Sequence, residues 1–373
     1  MDTLQKLDIL SEASQYDLAC ACGTGKDDHR KRDGKGHWLY PVPLPRGGYS
    51  VLLKTLLSSC CSNDCKYCPL RTDANARRCT LTPEETAKIF MEYFCQRKVF
   101  GLFLSSGVIG TPDHTMELLN KTVRLLRYRY NFRGYVHLKI IPGASDAAVA
   151  EAISLASAVS LNLEAPGEKY FKKLSDVKDF NEDIVRPVKL MSSLTASGEK
   201  FSRVKCTTQF IVGAADESDR EIISYVDAVY NRLNFERVYF SAYQPGLGTK
   251  DIPGEQNFSL KPEDHLTREH RLYQCDFLFR KYGFAKNELV FDHAGQLPLD
   301  RDPKQVWADA HPEFFPVNLN KADKDELLRV PGIGPESALK IVRLRQLHTI
   351  RELPDIDIKG KIAAKATPYV VFC

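Results

Sequence analysis

No apolar run in the chain approaches the ~20 residues needed to cross a bilayer. The N-terminal stretch MDTLQKLDIL has neither a basic start nor a continuous apolar run, so no secretion signal is predicted. These absences point to the cytoplasm, where thiols stay reduced. There is no low-complexity segment, no second C-x2-C pair and no H-x3-H spacing. The usual structural zinc patterns are therefore missing. A large excess of one charge is also absent: 52 Lys and Arg against 48 Asp and Glu leave a formal net charge of +4. Such mild basicity is compatible with a nucleic-acid partner and does not require one.

What is present is a chain of 373 residues, 43% hydrophobic and 27% charged. That is the composition of a soluble globular protein, long enough for a large core and a smaller appended domain. Residues 1–48 are polar and irregular; a short helix is predicted over 2–15, while KDDHRKRDGKG (26–36) and PVPLPRGG (41–48) read as loop or linker. From residue 49 the pattern changes. Strands are predicted at 49–57, 101–106, 135–141, 158–164, 204–212 and 237–243, alternating with helices at 82–98, 111–130, 145–157 and 217–233. Thr82-Pro83-Glu84-Glu85 and Ser145 mark helix starts. This alternation implies an α/β fold of parallel β/α units, most simply a partial (β/α)6 TIM-like barrel. Periodicity alone does not separate an open barrel from a flat sheet. A further helix is predicted at 261–283, and from 317 the pattern is all-α. The predicted divisions are an N-terminal extension (1–48), a core barrel (49–250), a connector and barrel-covering segment (251–316) and an all-α domain (317–373).

Eleven cysteines in a reducing compartment suggest metal or redox chemistry rather than disulfides. Three of them cluster as C-x3-C-x2-C: Cys61, Cys65 and Cys68, on the loop after the first barrel strand. Loops after strand C-termini build the active sites of such barrels. Soft thiolates on one tight loop suit an iron–sulfur cluster. Three ligands leave the fourth iron open to a substrate or cofactor. A zinc site or a chance group is the competing explanation. Cys60, directly before Cys61, makes the ligand register less obvious, although only Cys61 has the required spacing.

C-x3-C-x2-C with Tyr67 before the third cysteine resembles the signature of the radical S-adenosylmethionine (SAM) superfamily. The resemblance covers residues 49–250 and implies two cofactors, a [4Fe–4S] cluster and S-adenosyl-L-methionine. It also implies a reaction: the open iron binds the methionyl group, and reductive cleavage yields a 5′-deoxyadenosyl radical that abstracts hydrogen. An electron donor such as flavodoxin or ferredoxin is implied as well. The family uses a Gly-containing turn after the second strand to hold the SAM amino group; here it reads Ser105-Ser106-Gly107. It places ribose contacts on the fourth strand, where Asn162 and Glu164 share one face. His137 and Lys139 share a face on the third strand, set to meet the SAM carboxylate, the substrate or Glu164. Gly213, with Glu217, matches the turn that backs the adenine; Tyr243 is a candidate for stacking on it. Arg186 lies in a helix that in some members binds the carboxylate. Cys206, on the fifth strand, is a candidate hydrogen donor, although a buried cysteine more often simply packs. Cys20, Cys22, His29 and His37 are candidates for an auxiliary metal site, although their spacing is irregular.

VNLNKADKDELLRVPGIGPESALKIVRLR (317–345) resembles a helix-hairpin-helix module. The specific part is Pro331-Gly332-Ile333-Gly334, where two glycines let the backbone approach a phosphate. Lys340, Arg343 and Arg345 follow, with Ala338, Ile341 and Val342 as the buried face. The competing explanation is a protein-packing element. A second basic–aromatic stretch holds Lys121, Arg124, Arg127, Arg129 and Arg133 among Tyr128, Tyr130 and Phe132; it reads as the solvated face of an outer helix or as an extension of a nucleic-acid surface. The whole chain, including HLKIIPGAS (137–145) and LPLDRDPKQVWADAHPEFFPVN (297–318), resembles DNA modification or repair radical SAM proteins that occur alongside uracil-DNA-glycosylase-like proteins. That resemblance implies DNA as partner and a radical reaction on it. A tRNA- or RNA-modifying enzyme and a non-catalytic iron–sulfur nucleic-acid-binding protein are the alternatives.

Overall fold

The computed structural model describes residues 1–17, 38–43, 48–256 and 261–373. Cys20, Cys22, His29 and His37 lie outside them. By contact the chain divides into two compact units, Met1–Glu217 with Tyr225–Glu269, and Ser218–Ser224 with His270–Cys373. No helix among the described residues is long and apolar enough to cross a membrane.

The first unit is built on a curled sheet of seven strands, β1 (Leu39–Pro43), β2 (Tyr49–Leu56), β3 (Gly101–Ser105), β4 (Tyr135–Lys139), β5 (Ala158–Ser160), β6 (Lys205–Val212) and β7 (Arg237–Ala242). Sheet order follows chain order. β2 to β7 are all parallel, and β1 adds an antiparallel edge, pairing Leu39 with Leu53 and Val42 with Ser50. β1 replaces part of the stretch expected to be linker. Its Pro41 and Pro43 disguise it in the sequence, but proline is tolerated on an edge strand, where a missing donor faces no partner.

Helices α1 (Thr3–Ala13), α2 (Pro83–Cys95), α3 (Pro112–Arg124), α4 (Asp146–Leu155), α5 (Glu168–Phe171), α6 (Arg186–Leu194), α7 (Asp219–Asn231), α8 (Pro253–Gln256) and α9 (Pro262–Tyr282) accompany the strands. Several start where the sequence says they should. Thr82 forms a capping box with Glu85, and Ser145 accepts from the Ala148 amide. The predicted helix 111–130 ends its regular part at Arg124 and continues as a π-helical turn over Leu125–Arg129.

A sheet whose strands run in chain order winds its connecting helices onto one face. Alternate residues then divide cleanly. Leu53, Leu102, Leu104, Val136, Leu138, Val159, Phe210, Val238 and Phe240 are fully buried on one side. On the other side a polar belt crosses four strands: the Lys54 ammonium sits 4.5 Å from the Phe103 ring centre, Phe103 lies 4.5 Å from the His137 ring, and His137 Nε2 is 2.8 Å from Ser160 Oγ. This face is the concave interior, and its upper rim is where the strands end.

The second unit continues with α10 (Pro303–Ala310), β8 (Val317–Asn318), α11 (Lys324–Arg329), α12 (Pro335–Leu344), α13 (Gly360–Ala366) and β9 (Val370–Val371). α10 lies in the segment expected to be only a connector; Asp302 caps it and Pro303 occupies its first turn. Leu319, Leu327, Val330, Ile341 and Ile350 form the fully buried centre, and β8 pairs with β9 in parallel.

Candidate active site

Between Leu57 and Thr82 the chain has no helix or strand, only an isolated bridge from Ser58 to Thr80. Arg78 supplies the order that secondary structure does not. Its Nη1 donates to Ser59 O (2.5 Å) and Leu70 O (2.8 Å), and its Nη2 to Arg71 O (2.7 Å) and Ala74 O (3.0 Å). Arg71 Nη1 adds bonds to Cys68 O (3.1 Å) and Leu247 O (2.9 Å). A planar guanidinium is suited to bridging several carbonyls at once. The loop between the two ends of this clasp carries Cys61, Cys65 and Cys68.

These three cysteines, with Asn63 and Tyr67, line one open cleft together with Ser105, Ser106, Gly107, Lys139, Asn162, Glu164 and Lys178. The cleft encloses about 880 Å³ including its mouth. Cys60 does not line it; its amide receives support from Ser58 Oγ and its sulfur from Thr80 Oγ1, which leaves Cys61 in the ligand register. Gly107 explains the Ser-Ser-Gly turn: a Cβ there would collide with the Cys60 carbonyl oxygen. That close approach lets the Val108 amide reach Cys61 Sγ at 3.4 Å, while the Leu70 amide reaches Cys68 Sγ at 3.4 Å.

Strand β5 ends early, at Ser160, and the next residues leave the sheet. Glu164 is nevertheless tied to β6, donating its amide to Gln209 O (3.0 Å) and accepting from the Ile211 amide (2.9 Å). It does so with φ +63°, a left-handed conformation that costs a non-glycine residue of order 1–3 kcal/mol and persists where its surroundings over-determine it. Its side chain is buried, and Oε2 has no hydrogen-bond partner among the described residues. Burial pushes the Glu164 carboxyl up, against the pull of Lys139 and Lys178. Burial likewise raises the Cys65 thiol, and takes Cys68 to about 12.

Other expected site residues are not brought to the cleft. Arg186 is ion-paired with Asp146 and donates to Ala144 O (3.0 Å), so its charge is satisfied elsewhere. Gly213 makes a turn, donating its amide to Glu217 Oε1 at 2.5 Å and lying against His265. The Tyr243 hydroxyl is bound to Glu255. Cys206 is on the helix-facing side of β6; its sulfur is 3.3 Å from Thr195 Oγ1 and 3.9 Å from Met191 O. Lys178 is the site residue that sequence reasoning missed. It lies on an irregular segment, and no motif marks it.

In the second unit, Pro331-Gly332-Ile333-Gly334 forms the turn between α11 and α12. Gly332 has φ +86°, and a Cβ there would meet Ile362 O at 2.9 Å. The buried Lys304 donates to Ile333 O at 2.5 Å and lies 4.7 Å from the Tyr282 ring centre. Burial pushes its ammonium down to about 7, helped by Lys365 and Arg329 and opposed by Asp302. Lys340 is ion-paired with Asp357, Arg345 donates to Ala322 O, and Arg343 is exposed. The other basic stretch is largely engaged within the first unit: Lys121 pairs with Glu84, Arg124 with Glu117 and Glu151, and Arg127 donates to three carbonyls.

The three-thiol donor set and the orphaned Glu164 oxygen fit an iron–sulfur cluster with a polar organic ligand beside it. Among the described residues no group of three or more His, Cys, Asp or Glu is placed to hold a metal ion. Residues 55–229 match the family model of the Radical SAM superfamily, and residues 314–357 that of the helix-hairpin-helix motif. No curated protein matches. Among solved structures, the chain is similar to HydG, a maturase of the FeFe-hydrogenase, at 13% identity and TM-score 0.44, covering 59% of this chain and 49% of that one. HydG from Carboxydothermus hydrogenoformans gives 16% identity and TM-score 0.44 with the same coverage. Streptococcus suis SuiB gives 14% and 0.46, covering 62% of this chain and 48% of that one. The chain thus spans about half the length of these proteins. It contains a radical SAM domain and a helix-hairpin-helix motif, and proteins of the Radical SAM superfamily use a [4Fe–4S] cluster and SAM.

Two outcomes follow. Arg78→Met should lower iron incorporation several-fold on reconstitution while far-ultraviolet dichroism stays near wild type, because the clasp is lost and the sheet is not. Lys304 has a folded value depressed from 10.5 to about 7, so between those limits the unfolded chain holds a proton that the folded chain lacks. Stability of the second unit should rise with pH across that window and flatten in Lys304→Met. Trp307 fluorescence in a Trp38→Phe background reports it.

Proposed function

We propose that this enzyme acts on nucleic acid, most specifically on DNA, in base repair or modification. The observation that supports the reading is one chain holding two arrangements: three cysteines lining a cleft with Lys139, Asn162 and Glu164, and a glycine hairpin backed by a buried core. In this reading Cys61, Cys65 and Cys68 are the cluster ligands. Bound together, the cluster and SAM supply adenosyl radical chemistry. Ser105, Ser106 and Gly107 present main-chain groups beside Cys61, and Asn162, Glu164 and Lys139 present the polar side chains that orient the cofactor, with Tyr67 against it.

Residues 317–373 are the proposed nucleic-acid-binding domain, in which Pro331 to Gly334 and the start of α12 meet a phosphate while Lys340 and Arg343 flank it. Phosphate contacts of this kind position a duplex without reading its sequence. A flavodoxin- or ferredoxin-like donor would supply the electron, and a uracil-DNA-glycosylase-like protein is a proposed partner.

The test is anaerobic. Reconstituted, reduced protein should convert SAM to 5′-deoxyadenosine; Cys61→Ala, Cys65→Ala and Cys68→Ala should abolish this, and Cys60→Ala should not. Duplex DNA should bind more tightly than single strands or tRNA, with affinity falling as salt rises. A preference for tRNA would move the substrate to RNA. A stable cluster with no 5′-deoxyadenosine and no response to SAM would leave a non-catalytic binding protein.

A further inference from the structure

The three cysteine sulfurs are not equivalent in what reaches them. Cys61 and Cys68 each accept a main-chain N–H, from Val108 and Leu70, both at 3.4 Å. Cys65 instead shares the cleft with the Lys178 side chain, whose ammonium charge acts on it. We propose that Lys178 is a positioning residue that sets the reduction potential of the cluster by directing a fixed positive charge at its Cys65 corner.

The placement is built, not incidental. Lys178 lies on an irregular segment after α5, distant in sequence from the cysteines, and that segment is fastened to the loop on both sides of Cys65. On one side, the Asp64 carboxylate accepts from Ser175 Oγ, from the Asp176 amide (2.6 Å) and from the Val177 amide (3.2 Å). Burial works against the Asp64 charge, but these bonds outweigh it and hold its carboxyl below the usual range. On the other side, the Lys66 amide donates to Leu174 O (2.8 Å), and Lys66 Nζ pairs with Asp176 (3.0 Å). Ser175 Oγ then accepts the Lys178 amide at 3.1 Å, which fixes the start of the lysine. The side chain runs past Phe171, with Nζ 5.1 Å from that ring centre, and ends in the cleft beside Cys65 and Glu164.

The consequence is electrostatic. Reduction adds a negative charge to the cluster. A cation beside one ligand stabilises the reduced state, and cluster potentials respond to net charge near the sulfurs. Lys139 also faces Glu164 in this cleft, so the carboxylate does not neutralise Lys178 alone.

The inference rests on Cys61, Cys65 and Cys68 being the cluster ligands, and the test separates the two. Iron and sulfide are counted first, then the midpoint potential is measured by EPR-monitored titration without SAM, for wild type, Lys178→Met, Lys178→Arg and the charge-neutral Ser175→Ala, which removes the bond to the Lys178 amide. The expected result is a more negative potential in Lys178→Met, a smaller shift of the same sign in Ser175→Ala, and a value near wild type in Lys178→Arg. Should Lys178→Met fail to assemble a cluster, Ser175→Ala against wild type decides. Potentials that do not move, or that move positive, would overturn the proposal. So would an unchanged SAM-free potential with weakened SAM binding, which would assign the lysine to SAM instead. A wild-type protein that assembles no cluster would instead overturn the ligand assignment itself.

Discussion

The architecture depends on how a cysteine loop without secondary structure is held still. Three soft ligands are useful only if their sulfurs converge, and an irregular loop of this length has no internal ladder to impose that. Arg78 orders the loop from outside by bonding four carbonyls on its two flanks. Gly107 lets β3's following turn press against the Cys60 carbonyl, and Asp64 and Lys66 tie the middle of the loop to residues 174–177. These are directional bonds in a half-buried setting, where an unmade one would cost about 1–3 kcal/mol. The loop is therefore rigid because its alternatives leave polar groups without partners.

The sheet supplies the complementary surface. Because its strands follow chain order, the concave face is free of connecting helices, and inward residues alternate with the apolar wall. A polar belt of Lys54, His137 and Ser160 crosses this face, and Ser105, Lys139, Asn162 and Glu164 line the cleft with the cysteines. The early end of β5 and the left-handed Glu164 are connected: leaving the sheet while staying tied to β6 puts that carboxylate into the cleft.

Much of this was legible before the structure. C-x3-C-x2-C, the strand–helix alternation and the capping residues Thr82 and Ser145 are local signals, and local geometry honours them. Asn162 and Glu164 share a cleft as their spacing suggests, although the strand expected to hold them ends two residues before Asn162. What was illegible depended on long-range partners. Arg186 meets Asp146, Tyr243 meets Glu255, and Cys206 faces the helices, none of which a spacing reveals. β1 was hidden by prolines that only its edge position permits. Lys178 reaches the cysteines through Asp64, a contact 113 residues long at Val177.

The central claim is that three thiolates hold an iron cluster with one corner open to SAM. The most direct measurement is low-temperature EPR of the reduced, iron-counted wild-type protein, before and after adding SAM. A [4Fe–4S] signal whose g-values change on addition is the predicted result. A signal indifferent to SAM would mean a closed fourth corner and would contradict it.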